Sequence, residues 1–138
     1  KYKIIAGDEW TTNFYTEMEW VASPLGYSQK DSSDHYLSCI EDSTLIVGNA
    51  KKEKEFYSLF QKYPKLQELT RLVMGSEIGK YQQMHDSFKT DTPEQRYRNL
   101  LKNRPELLQR VTLHQLASYI GVKPESLSRI RKRILKDK

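Results

Sequence analysis

Glu125, Ser126 and Arg129 stand at positions i, i+1 and i+4 of a segment with helical periodicity, and their side chains carry the donors and acceptors that read a base-pair edge. An arginine can donate two parallel bonds to a guanine and a glutamate can accept from the exocyclic amine of a cytosine, each good contact giving about 1–3 kcal/mol of discrimination. Glu125 and Arg129 also have the spacing of an ordinary i,i+4 ion pair on a solvated helix, and spacing alone does not separate the two readings. Lys132 and Arg133 continue the outward row. On a helix laid in a major groove such cations face phosphate; elsewhere the run 129–138 is a solvated basic tail.

These residues need a scaffold that presents them outward. Thr112 to Ile130 has helix-turn-helix spacing, with Ala117 small where two helices must approach and Gly121, four positions later, able to take the positive φ of a tight turn. Leu116, Ile120, Val122, Leu127 and Ile130 then point into the shared angle, and Ile134 extends that inward face. The plainer alternative is an αα-hairpin unrelated to nucleic acid. Ahead of it, Thr92-Pro93-Glu94-Gln95 is a capping box with proline at the first helical position, so a helix and a new domain begin there. Tyr97, Leu100 and Leu101 form its apolar face, and Asn103-Arg104-Pro105 ends it before a short turn through Leu107 and Leu108.

The stretch from Lys65 to Phe88 reads as one long helix. Met74, Ile78, Tyr81, His85 and Phe88 follow the 4, 3, 4, 3 spacing of a coiled-coil seam, while Leu66, Leu69, Leu72 and Val73 make a broader apolar face. One face would pair two copies of the chain; an amphipathic helix packed within one chain is the other reading. Before it, Lys52 to Tyr63 is a shorter helix with Phe56, Leu59, Phe60 and Tyr63 on one side, ended or redirected by Pro64. The first 50 residues read as β: a hairpin of Tyr2–Ile5 and Trp10–Tyr15, a loop over Ala22–Asp34, and a second hairpin of His35–Ile40 and Thr44–Val47.

Composition narrows the classes. The chain has 138 residues, with 15 aromatic ones to build a core, and its mean hydropathy of -0.78 with no long apolar run excludes an integral membrane protein of the helical kind. A single cysteine closes no intrachain disulfide and builds no zinc site, and Cys39 reads as an interior strand residue; His35, four positions before it, adds too few ligands for a metal. No leader sequence is evident, so a cytoplasmic location is expected. The net charge of +5 is unevenly distributed: residues 1–90 hold 11 basic and 13 acidic side chains, residues 91–138 hold 12 and 5. The last third is therefore the part suited to a polyanion. No phosphate loop, zinc signature or nucleophile elbow is present, which argues against an enzyme, and no cofactor is expected.

The motifs Thr-Pro-Glu-Gln-Arg-Tyr (92–97), Leu-Leu-Gln-Arg-Val (107–111), Ala-Ser-Tyr-Ile-Gly (117–121) and Pro-Glu-Ser-Leu-Ser-Arg-Ile-Arg (124–131) closely resemble the C-terminal domain of bacterial Crp/Fnr-type transcription regulators. The resemblance implies an α+β protein: a β-roll sensor of the cyclic-nucleotide-binding kind over residues 1–63, present only in its C-terminal part, a dimerisation helix over 64–90, and a winged helix-turn-helix over 91–138. By the same likeness Glu125 and Arg129 are base-reading positions, while Thr112, Leu113, His114, Lys123 and Lys132 are backbone-contacting ones, Leu113 having no side-chain hydrogen bond to give a phosphate. Double-stranded DNA, a second copy of the chain, a small-molecule effector and RNA polymerase are the partners it implies.

This sequence departs from the family at two places. Pro124 stands where the cyclic-AMP-responsive branch has a further base-reading arginine. Ser33 and Asp34 stand where cyclic-nucleotide binders carry an Arg-Ser pair, and no arginine precedes Arg71, so cyclic AMP is not the expected effector. The iron-sulfur branch needs more cysteines than Cys39. His85 reads as a seam or surface residue and not as a haem ligand. A helix-turn-helix that grips another protein remains the alternative to sequence-specific DNA binding.

Overall fold

The structure is a computed structural model that describes residues 2–5, 7–21, 35–47 and 53–136, and it is a mixed α and β protein. Three short strands, β1 (Tyr2–Ile5), β2 (Asp8–Thr11) and β3 (His35–Tyr36), precede six helices: α1 (Glu53–Lys62), α2 (Pro64–Thr90), α3 (Pro93–Asn103), α4 (Leu107–Arg110), α5 (Leu113–Ile120) and α6 (Pro124–Lys136). The chain divides into two compact units, one of residues 1–43 with 91–138 and one of residues 44–90.

In the first unit the strands form an antiparallel sheet in the order β2-β1-β3. Gly7, at φ 89°, takes the positive φ that a two-residue hairpin loop demands, and sets Ile5 opposite Asp8 and Tyr2 opposite Thr11. The first predicted hairpin is therefore present, with its second strand starting at Asp8 and ending at Thr11. The second is not. His35 and Tyr36 pair instead with Lys3 and Tyr2, and the ladder stops where β1 begins; residues 37–47 form no strand, and their side chains are exposed. Cys39 is accordingly exposed and not the interior strand residue its surroundings suggested. The predicted loop over 22–34 lies outside the described residues, with Ser33 and Asp34.

The core of this unit lies among α3, α4, α5 and α6. Tyr97 and Leu100 enter it from α3, Leu107 from α4, Leu116, Ala117 and Ile120 from α5, and Leu127, Ile130 and Ile134 from α6. Two of these helices, α3 and α5, start where the sequence supplies a cap. The Thr92 hydroxyl accepts from Gln95 N–H at 3.3 Å while the Gln95 side chain accepts from Thr92 N–H at 2.7 Å, and Pro93 needs no amide partner at the first position. Thr112 and Gln115 repeat this reciprocal box at the start of α5, with bonds of 3.2 and 3.1 Å. Gly121, at φ 77°, ends α5: its N–H reaches Ser118 O at 3.1 Å and Val122 N–H reaches Ala117 O at 2.9 Å, the paired bonds of a Schellman ending. Two residues later α6 begins, with Lys123 O accepting from Ser126 and Leu127 N–H.

The second unit holds α1 and α2, which pack on each other across a single residue, Tyr63. Pro64 re-aims the chain as expected, since it restarts the helix where its missing N–H costs nothing. The 27 residues of α2 include none that is buried.

Leu127 is wholly buried at the crossing of α5 and α6, so truncating it leaves a cavity that its neighbours cannot close without moving the turn. Leu127→Ala is expected to cost about 2–5 kcal/mol of stability, measured as a lower midpoint in urea unfolding.

Candidate nucleic-acid interface

α6 is two-faced along its whole length. Leu127, Ile130 and Ile134 are buried at three- and four-residue intervals, and this fixes the rotation of the helix about its axis. The opposite side carries Glu125, Arg129, Lys132 and Arg133, all exposed, with Ser126 half-buried at its margin. The side chains singled out for base and phosphate contacts on α6 thus share one open surface. Arg129 and Glu125 do not pair: Arg129 Nη2 lies 3.5 Å from Ser126 Oγ, and no ion pair joins it to Glu125 among the described residues. Arg133 Nη2, in contrast, lies 2.8 Å from Glu94 Oε2 in the first turn of α3, and Arg98 Nη2 lies 2.9 Å from the other oxygen of the same carboxylate. The two arginines, Arg98 foremost through its hydrogen bond, hold Glu94 below the ordinary carboxylate range. Between the first turn of α3 and α6 runs an open groove walled by Pro93, Glu94, Val122, Ser126, Arg129 and Arg133.

Thr112, His114 and Lys123 are exposed at the start of α5 and at the turn before α6. The Thr112 hydroxyl is already engaged, accepting from Gln115 N–H and lying 3.0 Å from Gln115 Oε1. That capping box is written in the sequence as Thr-x-x-Gln, a signal that sequence reasoning recognised at Thr92 and overlooked here. On α2 the seam residues Met74, Ile78, Tyr81, His85 and Phe88 are all exposed in the single chain, and His85 Nδ1 stands 3.5 Å from Asp86 Oδ1.

Sequence reasoning also missed how the arginines of residues 96–110 are used. Arg96 closes the corner between α3 and α5, donating from Nε to Ile120 O at 2.9 Å and from Nη1 to Asp91 O at 2.7 Å. Arg104 reaches the N-terminal segment, with Nη1 2.9 Å from Phe14 O and Nη2 3.2 Å from Glu19 Oε2. Arg110 is gripped by two carboxylates: Glu17 accepts from Nη1 at 3.0 Å and Nη2 at 2.7 Å, and Glu41 from Nε at 3.0 Å and Nη2 at 2.6 Å. Nearby, the buried Phe14 ring packs on Tyr119, centroids 5.1 Å apart, and Thr11 N–H donates to Ser118 Oγ at 2.8 Å, so the N-terminal segment is seated on the side of α5. Burial pushes the Tyr119 phenol up from its ordinary value. No spacing rule links residues 93 positions apart, which is why the Arg110 cluster left no mark in the sequence.

Hydrogen bonds from Arg110 hold Glu17 at a pKa of about 2, against an ordinary 4.5. A carboxyl whose pKa is lowered by folding stabilises the fold fully above its unfolded value, and that contribution is lost as pH falls through its folded value. The clamp is thus expected to be intact above about pH 4.5 and to open only as pH approaches 2. Side-chain NMR titration of Glu17 checks this; a midpoint near 4.5 would mean that the carboxylate is not held by Arg110 in solution.

Comparison with protein-family models, curated proteins and solved structures finds no match to this chain.

Proposed function

We propose that this chain is a sequence-specific DNA-binding transcription regulator of the Crp/Fnr type, acting as a homodimer on a palindromic operator. In this reading α5, the turn at 121–123 and α6 are a helix-turn-helix of the winged class, and the strands belong to a partial β-roll sensor. α6 enters the major groove; Glu125, Ser126 and Arg129 near its N-terminus meet base edges, while Thr112, His114, Lys123, Lys132 and Arg133 meet phosphates.

The observation that carries the reading is the unbroken exposed row on α6. Its apolar side is fully committed to the core, so the polar side has one fixed direction, and the residues found there are hydrogen-bonding and mostly cationic. Among the described residues Arg129 is tied to no acidic neighbour, and its one side-chain bond, to Ser126 Oγ at 3.5 Å, is weak enough to yield to a guanine. Arg133, which is exposed, must exchange the half-buried Glu94 for phosphate, and Arg98 stays on that carboxylate to balance its charge. The dimer rests on the exposed stripe of α2, whose 3.5-residue repeat suits a second copy of itself. Two recognition helices of a helix-turn-helix dimer enter successive major grooves about one turn of DNA apart.

Selection from a random duplex pool at fixed salt is expected to return a palindrome with constant half-site spacing. Arg129→Ala is expected to lower affinity for the selected duplex by about 1–3 kcal/mol and to relax one position of the half-site, with dimerisation unaffected. Lys132→Ala should weaken binding to all duplexes alike and reduce the salt slope by about 1. An affinity unchanged by Arg129→Ala points to a protein-gripping module instead. Ile78→Asp is expected to give monomers by analytical ultracentrifugation, because it buries a charge in the seam.

A further inference from the structure

We propose that Arg110 is a further DNA-phosphate ligand and that Glu17 and Glu41 occupy it as an intramolecular stand-in for phosphate, an autoinhibitory contact on the binding surface. The inference rests on the DNA-binding reading above.

Arg110 stands two residues before Thr112, the N-cap of α5, and two residues of chain span at most about 7 Å. In a helix-turn-helix the first of the two helices lies across the sugar-phosphate backbone, so a guanidinium at this place is within reach of a phosphodiester. The planar donor fork of arginine binds carboxylate and phosphate in the same bidentate manner. In this structure the fork is filled from both sides by the carboxylates of Glu17 and Glu41.

The filling is electrostatically unbalanced. Two negative charges share one positive charge, so each carboxylate opposes the ionisation of the other, and Glu17 raises the pKa of Glu41 in partial opposition to Arg110. A surplus of one negative charge therefore sits next to the surface assigned to DNA. Both carboxylates are well exposed, with 72% of the Glu17 and 41% of the Glu41 side chain open to solvent, so neither is locked in place. An incoming phosphate that displaces both carboxylates puts one negative charge on Arg110 in place of two, which removes that repulsion and leaves Arg110 neutralised. The charge imbalance has the same sense: the acidic side chains Glu17, Glu19 and Glu41 lie on the basic Arg104 and Arg110.

The test compares the wild type with the Glu17→Gln, Glu41→Gln double variant on two probes, the duplex selected from the random pool and a random-sequence duplex. The double variant is expected to bind both about five- to tenfold more tightly at about 0.1 M salt, with the slope of log K against log salt steeper by about 0.9, the increment of one added phosphate contact. Adding Arg110→Ala to the double variant is expected to cancel both changes. An affinity and slope equal to those of the wild type overturn the proposal. So does a gain that survives Arg110→Ala, because removing acidic charge alone would then explain it. Circular dichroism guards against a folding defect in the variants. On the wild type, the Arg110 Nε NMR signal is expected to shift on addition of the random-sequence duplex, and a signal that stays put also overturns the proposal. Arg129→Ala separates the underlying reading: loss of preference for the selected over the random duplex upholds sequence-specific binding whatever the Arg110 result, and retained preference removes it.

Discussion

The fixed point of the molecule is the turn at Gly121. A residue with a Cβ resists φ 77° by about 1–2 kcal/mol, so glycine sets where α5 ends and how soon α6 can begin. With that turn made, Ala117, at 0% exposure, is the residue small enough for the two helices to meet, and Leu127, equally inaccessible, fills the angle between them. The direction of every outward side chain on α6 follows from this contact. A helix free to rotate by one position would move Arg129 about 100° around its axis, so the exposed row has meaning only because the buried row has none of that freedom.

Cations of the last third fall into two groups with different work. Three arginines before α5 are turned inward or backward: Arg96 onto the carbonyls of Ile120 and Asp91, Arg104 onto the Phe14 carbonyl, Arg110 onto Glu17 and Glu41. The bonds of Arg104 and Arg110 join segments far apart in sequence and hold residues 14–19 and Glu41 against the ends of α3 and α4. The arginines and lysines of α6 carry no such long-range duty among the described residues, apart from Arg133 on Glu94. A net charge counts both groups alike. Only the partners distinguish a cation that supports the fold from one offered to solvent, and Arg110 stands at the border between them.

What the sequence disclosed and what it hid follow from the range of the interactions. Helix starts at Thr92 and Thr112, the ending at Gly121 and the inward faces of α3, α5 and α6 depend on residues within four positions of one another, and each has a local signature. The hairpin of β1 and β2 is equally local. By contrast, the second hairpin is read from runs of apolar and β-branched residues at 35–40 and 44–47 around Glu41-Asp42-Ser43, but a strand also needs a partner edge. His35 and Tyr36 pair with β1, while residues 37–47 form no strand and have exposed side chains. Two-stranded pairing without a covered face is marginal in water, so apolar residues there did not suffice. The arginine contacts to Phe14, Glu17, Glu19 and Glu41 link residues 69 to 93 positions apart and had no local trace. For the site, the outward row on α6 was legible because it is the complement of the inward one; the link between Arg133 and Glu94 was not.

The second unit poses a separate physical problem. A helix in water draws most of its stability from packing, yet α2 runs for 27 residues without a buried one and includes two glycines in its interior. Each glycine costs about 0.8–1.0 kcal/mol relative to alanine in such a position. A Cβ at Gly75 or Gly79 would meet nothing within 4 Å, so no close approach inside the chain calls for them. At about 100° per residue they lie roughly 120° around the helix from the stripe of Met74, Ile78, Tyr81, His85 and Phe88, and so do not serve tight packing along that stripe either. They weaken the helix without a return within one chain. An α2 of this composition gains most from covering its apolar stripe, and in the proposed dimer that demand ties the order of the helix to the presence of the second copy. Pairing and helix formation then become one event, and whatever loosens the proposed seam also loosens the helix that carries it.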